Sequence, residues 1–262
     1  MTKRADTVAI VGGSAAGFFT ASRVARSGRP VTVFERSRGL HPADRSLIVT
    51  SRLRDILGPL ADRCVTNEIH RFEVYANGLV AEFPLRRPDL IIERSVLIRD
   101  LAEEALRNGV DVVYGTRFEG MRPAAGGISL RTRSSGAGRC GEVTAGVVVG
   151  ADGATSSVAR AAGWGAQPTV PLVQAIVELP PGFPSDTTRV WFRPSDTRYF
   201  YWLIPEGNGR GALGVIGEDT GSTRERLDRF LEEQSFSPLG YQAARIPAYS
   251  RWIRAKKRVG DG

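Results

Sequence analysis

Three short stretches of this chain carry residue types and spacings that could do chemistry. The first is Gly12-Gly13-Ser14-Ala15-Ala16-Gly17. It follows a short apolar run, Thr7 to Val11, and leads into Ala15 to Arg26, whose apolar residues recur at helical spacing up to Gly28. A glycine turn between a buried strand and a helix aims backbone N–H groups and the positive end of the helix dipole at an anionic group. Gly12 permits the tight turn and Gly17 lets the helix pack closely on the strand. Ser14 stands where such patterns usually place their second glycine. Val31 to Phe34 reads as a second buried strand, and Glu35 ends it. A carboxylate there accepts hydrogen bonds from ribose hydroxyls and disfavours a 2′-phosphate, so the spacing predicts an adenine dinucleotide site.

The second stretch is Val147 to Val149, read as a buried strand, running through Gly150-Ala151-Asp152-Gly153-Ala154-Thr155-Ser156 into a short helix. The third is Tyr199-Phe200-Tyr201-Trp202-Leu203-Ile204-Pro205, an aromatic strand ending in proline. Such a strand can wall an apolar pocket, and Tyr199, Tyr201, Trp202 and Pro205 are its candidate lining residues. Other chemistry-bearing types lead nowhere. Cys64 and Cys140 are the only cysteines, and neither has a metal-ligand or redox-motif spacing. His41 and His70 fall in loop or strand-edge settings, so both are expected at the surface and no metal site is expected.

The elements that must position these stretches fit one large or two interlocked domains in 262 residues. A strand, glycine turn, helix and strand at the start make one βαβ unit. Leu47 to Leu57 reads as a helix. Glu68 to Val74 and Leu79 to Leu85 read as strands paired around Asn77-Gly78, a strong hairpin signal. Val96 to Arg107 reads as an amphipathic helix ended by Asn108-Gly109, and Val110 to Tyr114 as a strand. Phe118 to Met121, Ile128 to Arg133 and Glu142 to Val149 suggest a three-stranded meander, with an exposed tip at Ser134 to Gly138. Beyond Gly163, Val173 to Leu179, Thr188 to Phe192, Tyr199 to Ile204 and Gly211 to Ile216 are expected in one antiparallel sheet, followed by a helix over Thr223 to Glu233.

Hydrophobic residues make up 42% and charged residues 24%, an ordinary globular balance. No run of about 18 apolar residues offers a spanning helix, and the N-terminal residues carry no secretory pattern. A reduced, cytoplasmic protein is the expectation. The formal charge of +8 invites a nucleic-acid reading, but the arginines are scattered and only Arg251 to Arg258 forms a dense basic run. No nucleic-acid partner is expected. A basic surface could instead attract NADPH, lipid phosphates or an anionic membrane face, so peripheral membrane contact stays open.

Together, the Gly12 to Gly17 turn, Glu35 and the Asp152-Gly153 turn resemble one FAD-binding superfamily. It holds p-hydroxybenzoate hydroxylase-type monooxygenases, geranylgeranyl reductases and flavin-dependent halogenases. The resemblance implies an α/β fold in which a Rossmann-like FAD-binding domain (1–65 and 93–165) interleaves with a mostly antiparallel β substrate domain (66–92 and 166–250). It implies that Asp152, Gly153 and Ser156 lie against FAD and the path of NAD(P)H, the implied electron donor. Arg36, Arg45 and Arg94 join Gly12, Gly13, Ser14, Ala15, Ala16, Gly17 and Glu35 as implied cofactor contacts. Ala159 departs from the family, whose members commonly carry arginine there; Arg160 follows it.

Tyr199 to Pro205 resembles the reductases' substrate-domain motif and also the halogenases' W-x-I-P ending. Halogenases need an active-site lysine, and this chain has none between Lys3 and Lys256. The spacing onward to Gly211-Ala212-Leu213-Gly214 and to Arg245-Ile246-Pro247 favours a geranylgeranyl-reductase-like enzyme acting on an apolar prenyl or polyketide-like substrate. The reductases' early cysteine-glycine element is absent from Arg36 to Ser46, which keeps an aromatic hydroxylase as the alternative. A degenerate, non-catalytic dinucleotide binder is a second alternative. Family members also carry a later Gly-Asp turn between a strand and a helix, and Gly260-Asp261 lacks that context, so the resemblance implies a C-terminally truncated chain. No protein acid or base is named, because the cofactor carries the chemistry.

Overall fold

The structure is a computed structural model, and it describes residues 6–136 and 138–248. The basic run at 251–258, Gly260-Asp261 and Ala137 of the predicted loop lie outside the described residues. In chain order the first elements are β1 (Val8–Val11), α1 (Ala15–Ala25), β2 (Val31–Phe34), β3 (Ser46–Thr50), α2 (Arg52–Leu57), α3 (Pro59–Asp62), β4 (Val65–Ala76) and β5 (Leu79–Glu93). Then follow α4 (Arg94–Arg107), β6 (Asp111–Val113), β7 (Thr116–Ala124), β8 (Gly127–Ser134), β9 (Cys140–Ala145), β10 (Val147–Gly150) and α5 (Ser157–Ala161). The last are β11 (Thr169–Glu178), β12 (Thr187–Phe192), β13 (Tyr201–Gly207), β14 (Arg210–Ile216), α6 (Thr220–Glu233) and β15 (Pro238–Pro247). No helix among the described residues is long and apolar enough to cross a membrane.

The chain divides into two compact units, one holding residues up to 43 and 97–168, the other 44–96 and 169–248. The first unit centres on a four-stranded parallel sheet of order β10-β1-β2-β6. Its central strands are short β-branched and apolar runs buried on both faces, as parallel strands require. The meander β7-β8-β9 packs Phe118, Leu130 and Ala145 against Ala9, Val11 and Phe34 of the sheet. Asn108 Nδ2 donates to Ser22 Oγ at 2.9 Å, and Arg26 pairs with Glu104, so α1 and the end of α4 are tied side by side. The run Glu142 to Val149 is two strands rather than one. It breaks at Gly146, whose N–H donates to the Thr7 carbonyl as the chain leaves the meander for the parallel sheet. Nor is β10 fully buried: Val147 is 44% exposed, because this strand has a ladder neighbour on one side only among the described residues.

The second unit is an eight-stranded sheet of order β15-β11-β14-β13-β12-β4-β5-β3, antiparallel except where β12 meets β4. The predicted hairpin is present, with Asn77 and Gly78 both at positive φ (50° and 76°), the pair of left-handed residues that a two-residue turn needs. The helix read over Leu47 to Leu57 begins only at Arg52. Ser46 to Thr50 instead pairs antiparallel with Asp89 to Glu93, and the β-branched Ile48, Val49 and Thr50 suit that ladder. That pairing groups residues 44–65 with the second unit, whereas the sequence reading placed them with the first. β15 is a strand with no counterpart in the sequence reading, and it pairs with β11 along nearly its whole length.

Alternation gives this sheet two chemically distinct faces. Trp191, Tyr201, Leu203, Leu213 and Val215 point to one side and pack under Leu227, Phe230 and Leu231 of α6. Trp202, Ile216 and Val170 point to the other, with Leu172, Tyr199, Phe200, Ile204 and Ile246 packed around them.

Candidate cofactor site

The glycine turn is built as its spacing requires. Gly12 holds φ at +110°, and a Cβ there would overlap the Ala151 carbonyl. A Cβ on Gly17 would overlap the carbonyl oxygen of Gly12, so only glycine lets α1 start this close to β1. Ser14 is the N-cap of α1, in extended conformation, yet its side chain makes no capping hydrogen bond and the first turn holds no acidic residue. By contrast α5 and α6 are capped, by Ser156 and Asp219. The leading N–H groups of α1, over Ala15, Ala16 and Gly17, therefore have no side-chain cap, the arrangement that receives an anion.

Glu35 stands beside this turn. Its Oε2 accepts from the Gly13 N–H at 2.7 Å and its Oε1 from the Ser37 N–H at 2.8 Å. Each oxygen keeps a further lone pair for another donor. The Gly13 α-carbon faces the Glu35 side chain so closely that a Cβ would sit 3.0 Å from the Glu35 Cβ. Sequence reasoning missed Ser37, since a backbone donor leaves no signature in residue type. Arg36 is exposed.

Asp152 is occupied by its own helix. Its Oδ2 accepts from the N–H groups of Ser157 at 2.6 Å and Val158 at 3.1 Å, and its Oδ1 from the Ser156 hydroxyl. Ser156 Oγ in turn accepts from the Ala159 N–H at 2.9 Å. The Asp-Gly turn is thus a double cap on α5, with Gly153 at φ +83° closing the bend. Arg160 folds back onto the same cap, donating to the Thr155 carbonyl and to Ser157 Oγ. Asp152→Ala is expected to lower stability by about 1–2 kcal/mol through the uncapped helix. Thermal unfolding without ligand checks this, and an unchanged midpoint would contradict the capping role.

In the second unit, Arg45 and Arg94 form a like-charged pair. The Arg94 N–H donates to the Arg45 carbonyl at 3.0 Å, and the Arg45 and Ser95 N–H groups both donate to Glu93 Oε1. Burial, and then the neighbouring Arg94 charge, hold the Arg45 guanidinium below its ordinary range. Arg45 Nε is buried without a hydrogen-bond partner among the described residues. A buried donor beside a second cation is costly unless an anion comes to it.

Residues 5–201 match the sequence profile of a protein family described as an FAD binding domain, more than half of the chain. The chain belongs to this family. The chain is also similar to digeranylgeranylglycerophospholipid reductase 2 of Methanothermobacter thermautotrophicus, 29% identical over 278 residues, covering 92% of this chain and 65% of that protein. The digeranylgeranylglycerophospholipid reductase of Methanospirillum hungatei is 27% identical, over 87% of this chain and 60% of its own length. The chain thus spans less than two thirds of these relatives. Among solved structures, a geranylgeranyl bacteriochlorophyll reductase-like protein from Thermoplasma acidophilum superposes with a TM-score of 0.79 at 18% identity, covering 92% of this chain and 66% of that one. The p-nitrophenol 4-monooxygenase of Pseudomonas putida superposes with a TM-score of 0.71, also at 18% identity, over 92% and 69% of the two chains. These likenesses fix the fold as that of FAD-dependent oxidoreductases.

Of the four residues predicted to line an apolar pocket, the second unit brings only two to one face. Tyr199 and Trp202 lie opposite α6, while Tyr201 is fully buried beneath that helix. The Tyr201 hydroxyl donates to Asp196, its ring lies 4.3 Å from that of Phe230, and burial pushes its pKa up. Pro205 follows Tyr201 and Leu203 in the alternation, and its carbonyl accepts from Asn67 Nδ2 at 3.0 Å. Tyr201 is therefore a core residue. Tyr201→Phe is expected to cost about 1 kcal/mol, from the lost hydrogen bond of the buried hydroxyl to Asp196, which keeps Arg226 and Arg229 as partners, and to leave ligand affinities unchanged. Chemical denaturation and a ligand titration of the same variant would check both halves.

Sequence reasoning also missed Gly214 and Thr188. A Cβ on Gly214 would overlap the Trp202 indole, so glycine at this β14 position lets the ring lie flat across the sheet. A glycine inside a strand opposite a tryptophan is the signal that could have found it. Trp202 Nε1 and Thr188 Oγ1 are both buried with no hydrogen-bond partner among the described residues.

Proposed function

We propose that this chain is the cofactor-binding and substrate-binding part of an FAD-dependent oxidoreductase that acts on an apolar substrate in the manner of a reductase. One observation carries the reading: the side-chain-uncapped start of α1 sits beside Glu35, with Gly12 and Gly17 holding the turn open. The residues fit the group. The N–H groups over Ser14, Ala15, Ala16 and Gly17 would receive a phosphate, and Glu35 would accept from the ribose hydroxyls of the adenosine. Within the second unit, Arg45 and Arg94 form a cationic pair whose buried, unpartnered Arg45 Nε an anion would satisfy. Asp152, Gly153 and Ser156 shape the Asp-Gly bend that faces the cofactor in this reading.

FAD, when bound, supplies hydride or electron transfer, and the protein contributes binding, orientation and exclusion of water. The apolar sheet face around Tyr199, Phe200 and Trp202 is where a substrate without charge would be held. The names of the relatives favour a lipid with a prenyl chain as substrate, and NAD(P)H is the electron donor to test first. A hydroxylase is the second reading, favoured by the absence of a cysteine between Arg36 and Ser46 and by the monooxygenase neighbour. NADPH oxidation by the flavin-loaded protein, with and without O₂ and with a prenyl lipid, separates them. Anaerobic oxidation of NADPH with saturation of a prenyl double bond supports the reductase. Consumption of O₂ stoichiometric with a new hydroxyl group supports the hydroxylase, and flavin that no donor reduces would sink both.

A further inference from the structure

β3 and β15 are the two edges of the eight-stranded sheet. Neighbouring strands lie about 4.8 Å apart, so in a flat sheet the seven steps between these edges would span roughly 34 Å. Instead the edges come together. Gln242 Nε2, on β15, donates at 3.3 Å to the carbonyl of Asp44, two residues before β3 begins. On the other side of Arg45, the Ser46 hydroxyl donates to Glu206 Oε1 near the end of β13. The sheet therefore curls until its edges nearly meet, and residues 44–46 form the seam. Gln242 shares a row with Gln174, Gly214 and Trp202, so the concave face is the one opposite α6.

Arg45 sits at the middle of this seam. It ends a stretch, 36–45, that contains no helix or strand, so individual hydrogen bonds set its place. Its own backbone is tied to the junction of β5 and α4, through Glu93 Oε1 and the Arg94 N–H. Its two sequence neighbours carry the bonds to β15 and β13. Glu206 is shaped for that task. It is the extra residue of a bulge, between the pairs Pro205–Gly211 and Gly207–Arg210, and a bulge re-aims a side chain. Gly207 follows at φ +95°, where a Cβ would meet the Thr66 carbonyl at 2.9 Å. Glu206 is half-buried, and burial raises its pKa, while the Ser46 hydroxyl opposes the shift by favouring the carboxylate.

From this geometry we propose that Glu206 and Gln242 are positioning residues for Arg45. They hold the seam closed before any ligand arrives, so the unpartnered Arg45 Nε is already in place when an anion reaches it. Binding then need not order the segment, and affinity rises by the ordering that is avoided. The inference rests on the proposed reading of Arg45 as a contact of the anionic cofactor, and adds the residues that preset it. Neither Glu206 nor Gln242 belongs to a sequence motif, because their role depends on the curl that brings β13 and β15 to β3.

The test is a double-mutant cycle on FAD affinity, read by flavin fluorescence, with thermal stability of each flavin-free variant measured beside it. Arg45→Met is expected to weaken FAD roughly tenfold or more. Glu206→Leu and Ser46→Ala, which remove the two ends of one hydrogen bond, should each weaken it roughly three- to tenfold. Glu206→Gln keeps an acceptor oxygen and should recover most of the loss. In the Arg45→Met background, Glu206→Leu and Ser46→Ala should have no further effect. A loss of the same size with and without Arg45 would mean a general structural role and overturn the positioning. Full affinity in Glu206→Leu and Ser46→Ala, while Arg45→Met binds weakly, would overturn the positioning alone. Full affinity in Arg45→Met would overturn the cofactor reading of Arg45 and the positioning with it. Ser46→Ala, the milder change, keeps the test open should Glu206→Leu fail to fold.

Discussion

Gly17→Ala is expected to abolish FAD binding and to destabilise the first unit. In an exposed helix the change would gain about 1 kcal/mol, since alanine is the better helix former. Here the new methyl would overlap the Gly12 carbonyl oxygen, a backbone atom that cannot swing aside. Overpacking of that kind costs about 1–3 kcal/mol or more, so the clash outweighs the propensity gain. The turn can relieve it only by moving α1 away from β1, and that displaces the N–H groups proposed to hold the phosphate. Two measurements check this: the thermal midpoint, expected to fall by roughly 2–4 °C for each kcal/mol, and flavin content after purification. A variant as stable as the parent with full flavin would mean that the close approach of helix and strand has no role.

Glu35→Ala should weaken FAD by about 100-fold, close to 2.7 kcal/mol. The carboxylate is anchored through Gly13 and Ser37, so its loss strands two backbone donors as well as removing the acceptor offered to the ribose. Hydrogen bonds to a charged group contribute about 1.5–3 kcal/mol each, which sets the size of the effect. Glu35→Gln, which keeps one acceptor oxygen, should fall between the two. The discriminating measurement is FAD affinity beside thermal stability in the absence of flavin. If Glu35→Ala lowered stability while leaving FAD affinity intact, the carboxylate would be a turn clamp and no part of the cofactor site.

Much of this architecture is legible in local chemistry. Strand, glycine turn and helix declare themselves at the start because Gly12 and Gly17 are needed for backbone reasons, independent of the rest of the chain. Asn77-Gly78 announces its hairpin for the same kind of reason. What sequence could not show is set by distant partners. Ser46 to Thr50 reads equally as the start of a helix until Asp89 to Glu93 offers it a ladder. Pro238 to Pro247 has polar and apolar residues mixed, and becomes a strand through its long pairing with β11. Within Tyr199 to Pro205 almost every residue is apolar, so composition hides which alternate set faces α6; the packing of Tyr201 against Phe230 decides it.

The candidate site divides along the same line. Gly12, Gly17 and Glu35 stand where their spacing put them. Asp152 also stands on the expected turn, but the capping of α5 engages both of its oxygens, a local hydrogen-bond role that the motif alone does not disclose. Arg45 and Arg94 are far apart in sequence and adjacent in space only through the β3–β5 pairing.

The most direct test is titration of the flavin-free protein with FAD, following flavin fluorescence and absorbance. Saturable binding with one FAD per chain, lost in Gly17→Ala and weakened about 100-fold in Glu35→Ala, is the expected result. A folded protein that shows no saturable uptake of FAD, or that binds it equally well without Glu35, would contradict the assignment of the glycine turn as a flavin site.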